Sequence, residues 1–172
     1  MTDNLRVWPV RAHGRVSQDG NAHKIIVKDL RRDVDDWPPV HQEALWALNL
    51  GDGRYKVDNV PFFAKNLSFG DIVQTESTED ELPNVSSVLE RSGHSTYRVI
   101  VSPDLDATKH EEYHELLKTL KHLRVIIEAG SERFFAIDVP PGVPVQAVYD
   151  VLELGVEYGI WDFEEGHFFD LH

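Results

Sequence analysis

Five consecutive residues, His110-Glu111-Glu112-Tyr113-His114, have the spacing H-E-x-x-H that many zinc proteases use. On a helix the two histidines lie one turn apart, so both could bind one metal ion while Glu111 activates a bound water. A catalytic zinc needs a third protein ligand as well, and no histidine follows at the spacing of the extended protease motif. We therefore expect neither a metal ion nor an organic cofactor, and a metal-dependent enzyme on this helix is an alternative hypothesis.

A second group of polar residues comprises Ser92-Gly93-His94-Ser95 and the following Arg98. A histidine next to a hydroxyl suggests a base and its nucleophile. Adjacent residues of a turn seldom orient each other in this way, and the sequence has no G-x-S-x-G motif. We interpret the segment as a turn in which Gly93 has positive φ, and expect any chemistry of His94 to need Arg98 or a distant carboxylate.

The surrounding sequence predicts an α+β protein in three parts. Residues 1–22 are a polar extension, and residues 23–92 are a β-rich meander or small barrel with a hairpin around Gly51-Asp52-Gly53. Residues 93–172 follow the order β-α-β-β-α-β of a ferredoxin-like unit. Its first helix is expected over 106–122, begun by a Thr108–Glu111 capping box. Residues 85–101 are expected to form a second hairpin around Ser92-Gly93-His94-Ser95.

The charge is strongly negative and unevenly distributed. The chain has a net charge of -13, with 16 acidic and 7 basic residues from position 87 onward, and no lysine or arginine follows Arg133. Nucleic acids and anionic membranes would be repelled, so we expect neither as a partner. There is no cysteine, no signal peptide and no apolar run of about 20 residues, which favours a cytoplasmic protein.

One set of residues in the middle of the chain forms a recognisable pattern: Glu43, Leu45, Trp46, Gly53, Tyr55, Asn59-Val60-Pro61-Phe62-Phe63, Gly70-Asp71, Ser92-Gly93-His94-Ser95 and Arg98. This pattern resembles a bacterial family known as domain of unknown function 4265. The resemblance extends from about residue 43 to the first strand of the second half, and it implies no established reaction.

Three functional hypotheses follow. The first is a non-enzymatic acidic protein, of the immunity or antitoxin kind, that neutralises a basic toxin such as a nuclease. Its expected binding face consists of Glu153, Glu157, Trp161, Asp162, Glu164 and Glu165, with Trp161 or Phe163 as an apolar anchor. The alternatives are a small hydrolase or metal-dependent enzyme centred on His94 or on the His110–His114 helix, and a sensor that binds a small molecule between the two halves.

Overall fold

A computed structural model describes residues 7–8, 23–31, 37–77 and 81–169. The chain divides into two units, Met1–Ser92 and Gly93–His172. The described residues form ten strands and two helices, so the α+β prediction is confirmed. Apart from Val7 and Trp8, the predicted polar extension lies outside the described residues.

The first unit is a single sheet of six strands. The strands are β1 (Val7–Trp8), β2 (His23–Asp29), β3 (Gln42–Gly51), β4 (Arg54–Val57), β5 (Ile72–Glu76) and β6 (Asn84–Glu90). They lie in the order β1-β3-β2-β6-β5-β4, and β3 also pairs with β4, so the pairings of β2 to β6 close into a ring. The β3–β4 hairpin confirms the prediction, because Gly51, Asp52 and Gly53 all have positive φ.

The second unit is a four-stranded antiparallel sheet with two helices. Its elements are β7 (Ser95–Val101), α1 (Ala107–His122), β8 (Ile126–Ala129), β9 (Phe134–Val139), α2 (Val145–Glu157) and β10 (Trp161–His167). The strands lie in the order β10-β7-β9-β8. One face of the sheet carries Tyr97, Val99, Phe135 and Ile137, which are buried together with residues of both helices. Neither helix combines the length and apolar character that crossing a membrane requires.

The start of α1 is capped differently from the prediction. Asp106 caps the helix by accepting a hydrogen bond from the Lys109 backbone N–H (2.9 Å), so the proposed Thr108–Glu111 capping box was wrong. Asp106, two positions before Thr108, is the better cap because its backbone is extended and its carboxylate reaches the third helical N–H. The helix ends at His122 as predicted, with Leu123 as its C-cap, and Arg124 then has positive φ.

The predicted second hairpin does not form. β6 belongs to the first sheet and β7 to the second, and the two strands do not pair. Gly93 has the expected positive φ of 84°. The turn residues were therefore recognised correctly, but they carry the chain from one sheet to another and do not return a strand to its neighbour.

Candidate functional site

Glu43, the first residue of the motif described above, is fully buried in β3. Its carboxylate accepts hydrogen bonds from the backbone N–H groups of Phe62 (2.5 Å), Phe63 (3.0 Å) and Ala64 (2.7 Å). Three donors that have no partner in a sheet ladder are thereby satisfied by one side chain. Glu43 fixes the loop after Asn59, and this role explains why the motif pairs a glutamate with the distant Phe62-Phe63.

Asp71 directly precedes β5 and has a similar structural role, with 1% of the residue exposed. Its carboxylate accepts hydrogen bonds from the Ser68 backbone N–H (3.1 Å) and the Ser92 backbone N–H (2.8 Å), and it pairs with Arg91 (3.0 Å). The Ser92 hydroxyl donates to the Phe69 carbonyl (2.6 Å). Ser92 is thus held by the loop that contains Gly70-Asp71, and these motif residues build local structure.

His94 is the motif residue with the clearest chemical potential. Its Nδ1 donates to Oδ1 of Asp138 at 2.7 Å, and the two side chains are 16% and 0% exposed. Asp138 lies in β9 opposite Thr96 of β7, so the sheet register brings together residues 44 positions apart. A carboxylate that holds Nδ1 fixes the tautomer of an imidazole, as in a general base paired with its orienting acid.

Burial dominates the electrostatics of Asp138. Loss of solvation raises the pKa of its carboxyl group, and the hydrogen bond and charge of His94 oppose that rise. Its Oδ2 atom is buried and accepts no hydrogen bond from any residue that the structure describes. Asp138 was not identified from the sequence as the partner of His94, although a single acid within the apolar segment Phe134–Val139 was the available signal.

The other two motif residues of this unit are also buried and bonded. The Ser95 hydroxyl accepts the Phe169 backbone N–H (2.9 Å). Arg98 is 1% exposed and donates from Nη1 to Oε1 of Glu164 (3.1 Å), its register partner on β10. Gly166 leaves room for the guanidinium, because a Cβ there would lie 2.8 Å from Arg98 Nη2. Glu164 therefore neutralises an internal arginine, which reduces its value in an acidic binding face.

The H-E-x-x-H residues lie on an exposed face of α1. The Nε2 atoms of His110 and His114 are 3.1 Å apart. Glu111 is exposed as well, and no group of three potential metal ligands occurs among the described residues. A protease-type zinc site with three protein ligands is therefore not assembled by this part of the chain.

The residues of the expected acidic face are divided between two sides of the second sheet. Trp161 is 2% exposed, packs against Gly155 and donates from Nε1 to the Leu152 carbonyl (2.9 Å). The prediction that Trp161 is a surface anchor was wrong, because its indole packs against Gly155 of α2 inside the core. Asp162 and Glu164 alternate with Trp161 and Phe163, so they point away from α2.

Three of these acids remain on the helix side of the sheet. Glu153 and Glu157 lie one turn apart at exposed positions of α2, and exposed Glu165 lies opposite Tyr97 of β7. A hydrogen bond to Glu153, together with the charges of Glu153 and Glu165, raises the pKa of Tyr149. We call Glu153, Glu157 and Glu165 the acidic surface. Exposed Val156 and Tyr158 flank Glu157, and sequence reasoning missed both as apolar contacts.

Comparisons with known proteins support a family but no activity. No curated protein matches the chain. The crystal structure of a hypothetical protein from Neisseria gonorrhoeae is similar with a TM-score of 0.70 at 20% identity, covering 87% of this chain and 99% of its own, which establishes the likeness of fold alone. A family model matches residues 43–163, the region that holds Glu43, Asp71, His94 and Arg98. The chain belongs to the family described as Domain of unknown function (DUF4265).

Proposed function

We propose that this protein is a non-enzymatic, cytoplasmic binding protein of bacteria that neutralises a basic protein partner, in the manner of an immunity protein or antitoxin. The observation that carries the proposal is the acidic surface. None of its three carboxylates forms an ion pair with a described residue, whereas Glu164 is paired with Arg98. Unpaired surface charge of one sign attracts an oppositely charged partner and accelerates association.

The composition of the surface suits a protein partner. Val156 and Tyr158 are each 43% exposed and provide apolar area beside the carboxylates, in place of the buried Trp161. An aromatic side chain among charged residues is typical of an interface whose centre is apolar and whose rim is polar. A basic nuclease toxin has the complementary charge, since its own substrate is anionic.

The experiment is a pull-down from native cells at low salt with the purified chain as bait, followed by elution in a salt gradient and mass spectrometry. The proposal expects a stoichiometric basic protein that leaves the bait as salt rises. A bait that carries Glu153→Lys and Glu157→Lys should retain much less of that protein. Equal retention by both baits would remove the acidic surface from the proposal.

We also propose a finer description of the two units. The ring of pairings from β2 to β6 supports a small barrel in the first unit. The element order β-α-β-β-α-β supports a ferredoxin-like second unit, since the sheet places its strands in the order fourth, first, third, second. A rigid sheet backed by α2 is a suitable support for a fixed interface.

A second candidate function is general acid–base catalysis by His94, favoured by its 2.7 Å bond to Asp138. Its test is a screen of the wild-type protein on chromogenic esters and phosphate esters. Any activity that depends on this pair must fall in both His94→Gln and Asp138→Asn. Activity that survives both substitutions would eliminate the pair as its source. The small-molecule sensor stays a prediction, and its test is a ligand-induced thermal shift.

A further inference from the structure

We propose that His110 and His114 form a bidentate binding site for a divalent late transition-metal ion, and that Cu²⁺ is the ion bound most tightly. The site is separate from the acidic surface and does not depend on the proposed function. Both histidines are exposed on α1, and their Nε2 atoms lie 3.1 Å apart.

The separation of the two nitrogen atoms suits a shared metal ion. Imidazole nitrogens bind such ions at about 2.0–2.1 Å. Two of them are then about 2.9 Å apart at a right angle and about 3.4 Å apart at the tetrahedral angle. The observed 3.1 Å lies between these values. At this distance the two nitrogens are also hydrogen-bonded to each other, and a metal ion that replaces the shared proton can reach both without a change of backbone.

The rings are held by a chain of aromatic contacts that leads into the core. Tyr113 contacts buried Trp161 with ring centroids 6.1 Å apart. On its other side it contacts His114 at 5.2 Å and stacks with His110 at 6.2 Å. Side chains with restricted rotamers lose less entropy when they bind a ligand, so these contacts favour chelation.

The chemistry of the donors selects the ion. Two neutral imidazoles suit copper, nickel and zinc, and at a given nitrogen site Cu²⁺ binds most tightly of these. The described residues supply no third protein ligand, so the remaining coordination positions are open to water or to a ligand from outside the chain. The net charge of -13 raises the local concentration of cations around the protein.

The test is a Cu²⁺ titration of the untagged full chain by isothermal titration calorimetry and by electron paramagnetic resonance. The expected result is one Cu²⁺ per chain bound by two nitrogens at the tightest site. Because each histidine makes the binding of the other intramolecular, His110→Ala and His114→Ala should each weaken that site at least about tenfold and leave one nitrogen. Circular dichroism checks that each alanine variant keeps its helix, as expected at exposed positions.

The matched control is His122→Ala on the same helix. His122 is exposed and its Nδ1 lies 2.7 Å from the Lys118 carbonyl oxygen. The positions one turn before it are Lys118 and Thr119, so no histidine is placed to share a metal ion with it. This variant should bind Cu²⁺ as the wild type does. Wild-type affinity in both His110→Ala and His114→Ala, or an equal loss in His122→Ala, would overturn the proposal.

Discussion

At the scale of single side chains, several of the polar residues that mark the family are buried and have specific partners. Glu43 binds three backbone N–H groups, Asp71 binds Arg91 and Ser92, and Arg98 binds Glu164. A buried polar group is costly to leave unpaired, so each of these residues depends on its partner. The motif thus describes how the two units are built, and its histidine, His94, pairs with Asp138, an acid outside the motif.

The first prediction concerns Glu43. Glu43→Ala leaves three backbone N–H groups without their acceptor, at about 1 kcal/mol or more each, so the free energy of unfolding should fall by about 3 kcal/mol. Urea denaturation measures the change. The control is Glu90→Ala at an exposed position of β6, which should stay within about 0.5 kcal/mol of the wild type. A Glu43→Ala loss no larger than the control would contradict this role.

The second prediction concerns the pH dependence of Asp138. Burial raises the pKa of its carboxyl group in the folded state, so the folded chain binds this proton more tightly than the unfolded chain. The contribution of Asp138 to the free energy of unfolding must then fall as pH rises from the ordinary aspartate pKa of about 4 through the raised native value. The asparagine variant Asp138→Asn lacks this titration. Its disadvantage in unfolding free energy relative to the wild type should therefore grow as pH is lowered from neutral.

Denaturation of both proteins across this pH range measures the difference. Asp150→Asn, at an exposed position of α2, controls for replacement of a carboxylate by an amide. A wild-type advantage that shrinks on acidification would show that burial does not dominate at Asp138.

At the scale of elements, α2 packs against β10 through Gly155 and Trp161. A Cβ on Gly155 would lie 2.0 Å from Cε2 of Trp161, closer than any tolerated contact. Gly155 therefore lets the indole pack directly against the helix backbone, where Nε1 reaches the Leu152 carbonyl. Helix propensity alone would favour alanine at position 155 by about 1 kcal/mol, so the contact with Trp161 explains why the residue is glycine.

The third prediction follows from that contact. Gly155→Ala should destabilise the chain by about 2 kcal/mol or more, because the clash with a rigid buried ring outweighs the gain in helix propensity. Thermal or urea denaturation measures it. Glu153→Ala on the exposed side of the same helix is the control and should change stability by less than about 0.5 kcal/mol. Equal stability of the two variants would mean that Trp161 can move aside.

Elements with a regular apolar pattern could be predicted from the sequence. The α1 stripe and the β3–β4 hairpin were recognised from local spacing and turn residues. Which strands pair was harder, because Glu90 and Ser95 are close in the chain but belong to different sheets. The burial of Trp161 and the pairing of His94 with Asp138 depend on register between distant strands. Local sequence carries no direct signal for the burial of Trp161, and for the pairing it offers only the single acid within Phe134–Val139.

At the scale of the whole molecule, charge is the property with the clearest functional consequence. The chain carries 30 acidic and 17 basic residues, and no lysine or arginine follows Arg133. Glu164 is neutralised by Arg98, whereas the acidic surface on α2 and β10 has no such compensation among the described residues. A basic partner should therefore associate rapidly at low salt and more slowly as salt screens the surface.

The most direct test of this account is the association rate of the captured basic partner with three forms of the chain at low salt. We predict that Glu153→Lys with Glu157→Lys slows association at least about tenfold. The control, Asp104→Lys with Glu132→Lys, changes net charge equally at exposed positions outside α2 and β10, and should slow it far less. Equal rates for the two double variants, or a wild-type rate that does not fall with added salt, would contradict the claim that the acidic surface binds the partner.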